Sequence, residues 1–500
     1  MAIERPLSKS QYVRALQCHK ALYLYRNNRE LMSPVSAADQ MTFDQGTYFG
    51  ELARKRFGNG ILVEEDHKHL EEAVETTRKL IEKGATLLYE AAFKFDDVVV
   101  RVDVIELTEG RWKLYEVKST TKVEDTHLDD VAVQRYVMHG AGYIVSHAAV
   151  VHADSEYVRR GDLNLVALFK ITDVSAETDA KVFEVARNIA AMKAMLGASE
   201  PETPIGAHCT KPYPCAFQGH CWKDVPEHSV FDLAYAQMPK KVDLWHRGIQ
   251  TVAEIPAGEK LSANQERQVR VAKSGIPIVS TVGIREILHG LSYPRYFLDF
   301  ETINPAVPLY DGTSPFEQVP FEASLHVQAH RGAPLYHFEF IGDGIADPRR
   351  GLTEFLLEHI GQSGSVVAYH KSFEGGCLER LGAWFGGSHG GRITDIVGRL
   401  WDLADFFRKG IIVLPEFHGS WSIKKVLPAL VPGAGYQGLA IADGAAAMAA
   451  YYRLLKPGYV SEEERAKILA DLKTYCAKDT MAMVDLLAVV ENMALTGAGR

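Results

Sequence analysis

Two sets of acidic residues and one set of cysteines in this chain have the types and spacing that chemistry needs. The first set is Asp103 and Glu116 with Lys118, two hard oxygen ligands and a cation, a trio of the kind that holds a divalent metal beside a phosphodiester. Glu116 and Lys118 lie two apart on an expected strand, so both side chains leave one face. Asp103 ends the strand before it, and a hairpin would bring it alongside. Mg²⁺ or Mn²⁺ held there would lower the pKa of a bound water and neutralise charge on the phosphate, with Lys118 orienting the water. The second set opens with Asp299-Phe300-Glu301, again a same-face pair on a strand, and closes with Tyr475 and Asp479, one helical turn apart. Between them Glu374 stands at the start of an expected helix, after Tyr369-His370-Lys371-Ser372-Phe373. Four converging acids can hold two metal ions, one activating water and one steadying the leaving oxygen.

The cysteines are Cys18 near the N-terminus and, far downstream, Cys209, Cys215 and Cys221, separated by gaps of five residues. Four thiolates complete a tetrahedral zinc site or an iron–sulfur cluster, and joining this set would clamp the two ends of one domain together. Structural zinc more often uses tighter Cys-x-x-Cys-like spacing, so the wide gaps favour a [4Fe–4S] cluster, with zinc second and buried free thiols third. Cys377 and Cys476, each alone in a helix-like context, read as small core side chains, and His208 and His220 as bystanders.

At 500 residues the chain has room for about three domains. Six cysteines in this length do not make a secreted disulfide scaffold. The N-terminus is charged from the start and lacks a signal-peptide core, and no apolar run reaches membrane-span length. The expectation is a soluble, cytoplasmic protein. A net charge of −9 argues against a surface that coats nucleic acid broadly. Polyanion contact must be local, for example along Lys241, Arg247, Lys260, Arg267 and Arg270.

The elements that must position these residues follow from periodicity. Helical spacing predicts helices over 40–57, 128–139 and 176–196; β-branched runs predict strands over 98–105 and 111–118. The stretch 201–226 is rich in Pro, Cys, His and Gly and reads as a metal-stapled loop. Residues 230–285 read as a small helical connector, in which Leu244–Ile249 and Thr251–Ile255 are either a helix–turn–helix pair or plain linker. A new α/β pattern starts near Tyr296, with strands at 296–301, 323–327 and 365–369 and helices near 375–385, 441–455 and 462–495.

On Asp103, Glu116-x-Lys118, and then Gln134 and Tyr136 on the next helix, residues 10–225 resemble the RecB-like branch of the PD-(D/E)xK nucleases. Glu90 stands where that branch often carries another acid, and Gly50 where many relatives have a metal-binding His. The cysteine arrangement resembles the members with an iron–sulfur cluster, the AddB type and the CRISPR-adaptation nucleases. On Asp299-x-Glu301, Phe373-Glu374 and Tyr475-x3-Asp479, residues 290–495 resemble the DnaQ-like (DEDD, tyrosine-type) exonucleases of the ribonuclease H-like fold, with Glu374 replacing the usual Asp. Gly419-Ser420-Trp421-Ser422-Ile423-Lys424-Lys425-Val426-Leu427-Pro428 resembles a bacterial domain family of unassigned function. The resemblance implies that Lys424 and Lys425 meet phosphates and that Gln134 and Tyr136 contact nucleic acid. Asp402 either supports the second site or caps a helix.

The implied architecture is α/β: a restriction-endonuclease-like domain with cysteine-stapled ends (1–225), a helical connector (226–289, helix–hairpin–helix-like) and a ribonuclease H-like mixed sheet flanked by helices (290–500). The implied activity is metal-dependent phosphodiester hydrolysis, exonuclease favoured, on nucleic acid, DNA before RNA. A binding or assembly protein whose nuclease sites are weakened is the alternative, in repair or phage defence. A phosphoesterase for small nucleotides is a third reading.

Overall fold

The computed structural model describes residues 5–66, 68–456 and 458–496. The chain divides into two compact units: one runs up to Asp224 and takes in Pro305–Glu317, and the other comprises Val225–Asn304 and the chain from Gln318 onward. The connector expected as a separate segment therefore clusters with the C-terminal unit. The loop Pro305–Glu317 clusters instead with the N-terminal one. Apolar burial explains the exchange of the loop. Ala306 and Val307 are buried in the cluster formed by Phe49, Tyr89, Tyr115 and Phe169, and Arg159 donates to the carbonyls of Pro308 and Leu309.

The N-terminal unit is built on a mixed sheet of β1 (Leu7–Ser8), β2 (Ile61–Leu62), β3 (Leu87–Phe95), β4 (Val98–Thr108), β5 (Arg111–Val117), β6 (Val145–Ala153) and β7 (Phe169–Asp173), with β2 to β7 side by side in sequence order. β3, β4 and β5 form an antiparallel meander, β6 is parallel to β5, and β7 closes antiparallel to β6. The helix Asp125–Gly140 forms part of the crossover that a parallel β5–β6 pair needs. One face of the sheet buries Val100, Val102, Leu114 and Val150 against Val131, Met138 and Ile189 of the helices. β1 pairs in parallel with Val98 and Val99, at the end of β4 that β5 leaves uncovered. This short strand delivers the helix Lys9–Gln17 to the sheet. The helix expected over 40–57 spans Ala37–Phe57, started by a Ser36–Asp39 capping box.

The C-terminal unit holds a five-stranded sheet in the order β11-β10-β9-β12-β13: β9 (Arg295–Ile303), β10 (Val319–Gln328), β11 (Leu335–Ile341), β12 (Ser365–Ala368) and β13 (Leu400–Asp402). β9, β10 and β11 are antiparallel; β12 and β13 run parallel to β9. A helix of 35 residues, Glu462–Thr496, packs its Ala482, Met483, Leu486 and Val490 into the core with Phe297, Val367 and Phe406. The connector is helical, with Met238–His246, Ala263–Ser274 and Thr281–Leu288. The second member of the expected helix–turn–helix pair is a single 3₁₀ turn, Val252–Glu254. A short β8 (Ile278–Val279) pairs with β14 (Ile412–Val413). Among the described residues no helix is long and apolar enough to cross a membrane.

Candidate functional site

In the C-terminal unit, strand alternation sends Asp299 and Glu301 to one face of β9 while Leu298 and Phe300 enter the core on the other. The long helix crosses that face and brings Asp479 to them. Ligand oxygens of Asp299, Glu301 and Asp479 all lie within 4.8 Å of one another. They line a cavity of 360 Å³ with Glu374, Lys424 and Tyr475. Burial first, and then the charge of Asp479, pushes Glu301 up to about 8; Asp299 is raised too, by burial and then by Asp479 and Glu301. Carboxylates crowded this way repel one another until a cation joins them.

Glu374 is buried and one of its oxygens has no hydrogen-bond partner. Burial and the nearby charges of Asp402 and Glu301 hold its carboxyl at about 8. It lines the cavity but stands outside the set of three. Asp402 is a capping residue: its Oδ1 accepts from the N–H groups of His370 and Ala404, which fixes the loop leading to Glu374. Lys424 lies over the rings of Tyr436 and Tyr475 and donates to the carbonyl of Ala442 at 2.7 Å. Lys425, one residue on and about 100° around the helix, is exposed and does not line the cavity.

Four residues of this site had no signal in the sequence motifs. Tyr436 donates to Asp479 alongside Tyr475. The Cys476 thiol points at Asp299 Oδ2, 3.7 Å away, so this cysteine is more than core filling. Tyr235, 63% exposed, stacks on Trp421 at 3.6 Å and lines the cavity mouth. Glu322 of β10 sits directly opposite Glu301, fully buried, with no hydrogen-bond partner on either oxygen. Burial, and then the charges of Glu301 and Glu339, raises its carboxyl to about 9.

In the N-terminal unit Asp103 and Glu116 face each other across β4 and β5. Asp103 accepts from the Val117 N–H at 2.6 Å; burial and the Glu116 charge raise its carboxyl to about 7. Glu116 is 1% exposed and accepts from Gln134 Nε2 at 2.7 Å, from Lys118 Nζ at 2.9 Å and from Lys9 Nζ at 2.7 Å. Burial alone would raise Glu116; Lys118 and Lys9 reverse that and hold it far below the usual carboxylate range. Lys118 also pairs with Asp130. Lys9 and Asp130 are the partners that the motif did not name.

Gln134 therefore orients Glu116. Tyr136 stands apart from it: its hydroxyl donates to Asp96, and its ring packs on Phe95. Glu90 interrupts the β3–β4 ladder at a positive φ of 57° and pairs with Arg54 and Arg101, each at 3.4 Å. Its charge reaches Asp103, but Glu90 does not close with Asp103 and Glu116 into one ligand set. A Cβ added at Gly50 would meet open space, and no side chain stands there to ligate.

Cys18, Cys209, Cys215 and Cys221 line one small cavity of 20 Å³, on a cluster of Ala21, Leu24 and Phe217. All four are free thiols, and no three of their sulfurs lie within 4.8 Å of one another. Cys377 is buried core, accepting from Arg380 at 3.5 Å.

A family model described as a domain of unknown function, DUF2779, matches residues 296–422, from β9 to the Trp421 loop. Three curated relatives are similar in part. The uncharacterized protein UU173 of Ureaplasma parvum serovar 3 is 27% identical over 216 residues, 39% of this chain and 31% of the relative. The uncharacterized MG366 homolog of Mycoplasma pneumoniae is 27% identical over 241 residues, 44% and 35% of the two chains. The uncharacterized MG366 of Mycoplasma genitalium is 25% identical over 221 residues, 41% and 33%. The matched part spans about a third of each relative's length.

Proposed function

We propose that this chain is a metal-dependent nuclease, with a DEDD-type exonuclease site in the C-terminal unit. The observation that carries the reading is the convergence of Asp299, Glu301 and Asp479 oxygens within 4.8 Å, with two tyrosine hydroxyls on Asp479. Hard carboxylates at this spacing fit Mg²⁺ or Mn²⁺, which would activate water and neutralise phosphate charge. The chain's own groups then do the rest. Tyr475 and Tyr436 hold the Asp479 carboxylate, Glu374 offers a further acid, and Lys424 supplies positive charge at the rim. Tyr235 on Trp421 is an aromatic platform of the sort on which an unpaired base stacks.

The N-terminal unit supports a second site of the PD-(D/E)xK kind at Asp103, Glu116 and Lys118. Here one observation favours the alternative of a site that grips without cutting: protein donors already occupy both Glu116 oxygens. The four cysteines would hold a soft metal centre that staples the ends of this unit. The gaps of five residues between Cys209, Cys215 and Cys221 favour an iron–sulfur cluster over zinc.

The test is a panel of single- and double-stranded DNA and RNA with Mg²⁺ or Mn²⁺, cut by wild type, Lys118→Ala and Asp299→Ala. Loss of 3′-end trimming in Asp299→Ala alone, and of a separate cleavage in Lys118→Ala alone, is the expected pattern. Equal activity in all three proteins would sink the two-site reading.

A further inference from the structure

A cleft of 1310 Å³ opens on the N-terminal unit. Val99 and Arg101 of β4 line it, and so does Lys9, whose ammonium pairs with Glu116, so the cleft reaches the acid pair through Lys9. Its walls carry Arg5, Arg26, Arg29 and Lys68, and among the described residues none of these four has a carboxylate within ion-pair distance. The other cations there are already engaged: Lys9 by Glu116, Arg101 by Glu90, and Lys193 by Asp96 and Asp97. On the acidic side stand Glu71, held by Lys94 at 2.5 Å, and Glu72.

Of the four open cations, Arg26 is placed at some electrostatic cost. Arg26 Nη2 donates to the Arg5 carbonyl, and burial together with the Arg5 charge depresses the Arg26 guanidinium. Arg29 lies over the Tyr25 ring at 4.8 Å, the same ring that carries Arg14 at 4.5 Å. Tyr25 in turn packs on the apolar cluster of Ala21, Leu24 and Phe217, against which Cys18, Cys215 and Cys221 also pack. Neighbouring arginines without counter-ions, in a chain of net charge −9, are a local site for a polyanion.

We propose that this cleft binds the phosphodiester backbone of a nucleic-acid strand, with Arg5, Arg26, Arg29 and Lys68 on its phosphates, and leads it to Asp103 and Glu116. The inference rests on the reading of that acid pair as a phosphodiester site, but it concerns binding and is tested without cleavage.

The experiment measures binding of fluorescein-labelled 20-nucleotide dT and rU strands, and of a DNA duplex, to the full chain in Ca²⁺ across a salt series. The proteins are wild type, Arg26→Ala/Arg29→Ala, Arg26→Lys and, as a control on the far exposed helix face, Arg187→Ala, each checked for an unchanged thermal melt. The double variant should lose about tenfold to a hundredfold in affinity, and its log K against log salt slope should flatten by about 1.4 for a single strand, two contacts at about 0.7 each. Arg187→Ala should bind like wild type, and Arg26→Lys, which keeps the charge, should keep the wild-type salt slope. Whichever of the three probes shows the loss identifies the strand type. If the double variant binds every probe with wild-type affinity and slope, the cleft is not the strand path, even should Lys118→Ala abolish cutting. If no variant of the catalytic panel changes cutting but the double variant still loses binding, the hydrolytic reading falls and the binding cleft stands.

Discussion

Lys9 and Glu116 are paired at 2.7 Å although 107 residues of chain separate them. Strand β1 makes this possible by docking at the open end of β4, so that the helix beginning at Lys9 starts over the acid pair. The ammonium thus supplies positive charge directly to the buried Glu116 carboxylate. Lys9→Met, in EDTA, should destabilise the protein by about 1–3 kcal/mol near neutral pH, because a buried carboxylate loses one of its charged donors. Glu116 is depressed in the folded state, so its contribution is present above its ordinary value of 4.5 and fades as pH falls below it. Urea midpoints should therefore converge for the two proteins in acid, and Mn²⁺ should restore the variant more than it helps wild type. A difference that persists unchanged at low pH would contradict this account.

Glu322 works in the opposite sense. Its folded carboxyl is raised to about 9, so stability linked to it is whole below 4.5 and is lost progressively as pH rises toward 9. Glu322→Gln removes that loss while keeping the shape. The variant should match wild type near pH 4.5 and exceed it by about 3 kcal/mol at pH 7. Denaturation midpoints at pH 5 and pH 8.5 decide the matter: a pH-independent gap between the proteins rules the mechanism out.

Much of the fold was legible because its signals are local. The β-branched run from Val98 and the alternation from Arg111 are strands, and the periodic stretch after Glu462 is one long helix. Asp299, Glu301 and Asp479 were legible as well, since strand alternation and a helical turn fix their faces before any packing is known. Tyr136 shows the limit. It sits two residues from Gln134, and a two-residue step on a helix turns about 200°, so the two cannot serve one site. Lys9, Tyr436, Tyr235 and Glu322 were not legible, because each reaches its partner through sheet order or loop packing. Sequence spacing carries no trace of either. The same reason moved Pro305–Glu317 into the N-terminal unit: its buried Ala306 and Val307 are too few to show a pattern.

Tyr436 should matter through Asp479 rather than through substrate. Its hydroxyl stabilises the ionised carboxylate, whose pKa burial already raises. Tyr436→Phe removes that donor and makes ionisation harder still. Cation binding competes with protons at this acid, so the pH of half-maximal Mn²⁺ binding should move up by about one unit. Calorimetric Mn²⁺ titrations from pH 6 to 9 measure the shift. A midpoint that stays in place would show that the hydroxyl does not hold the ligand acid.

The cysteines give the last prediction, which links the staple to the cleft wall. Cys18 immediately precedes the helix His19–Asn27, whose Tyr25 and Arg26 both line the cleft while Tyr25 also packs on the cluster of Ala21, Leu24 and Phe217. A metal centre on the four thiolates would anchor that helix to the loop carrying Cys209, Cys215 and Cys221, and its loss would free the helix. Cys18→Ser and Cys221→Ser should each abolish bound metal in anaerobically purified protein and lower the melting temperature. They should also weaken strand binding in Ca²⁺ as Arg26→Ala/Arg29→Ala does. Cys377→Ser, in the other unit, should change neither metal content nor strand binding. Iron with acid-labile sulfide in the wild type supports the cluster, and zinc alone replaces it with a tetrahedral site. If neither metal is present and both serine variants bind strands normally, the four thiols are packing residues and the staple is apolar, resting on Ala21, Leu24 and Phe217.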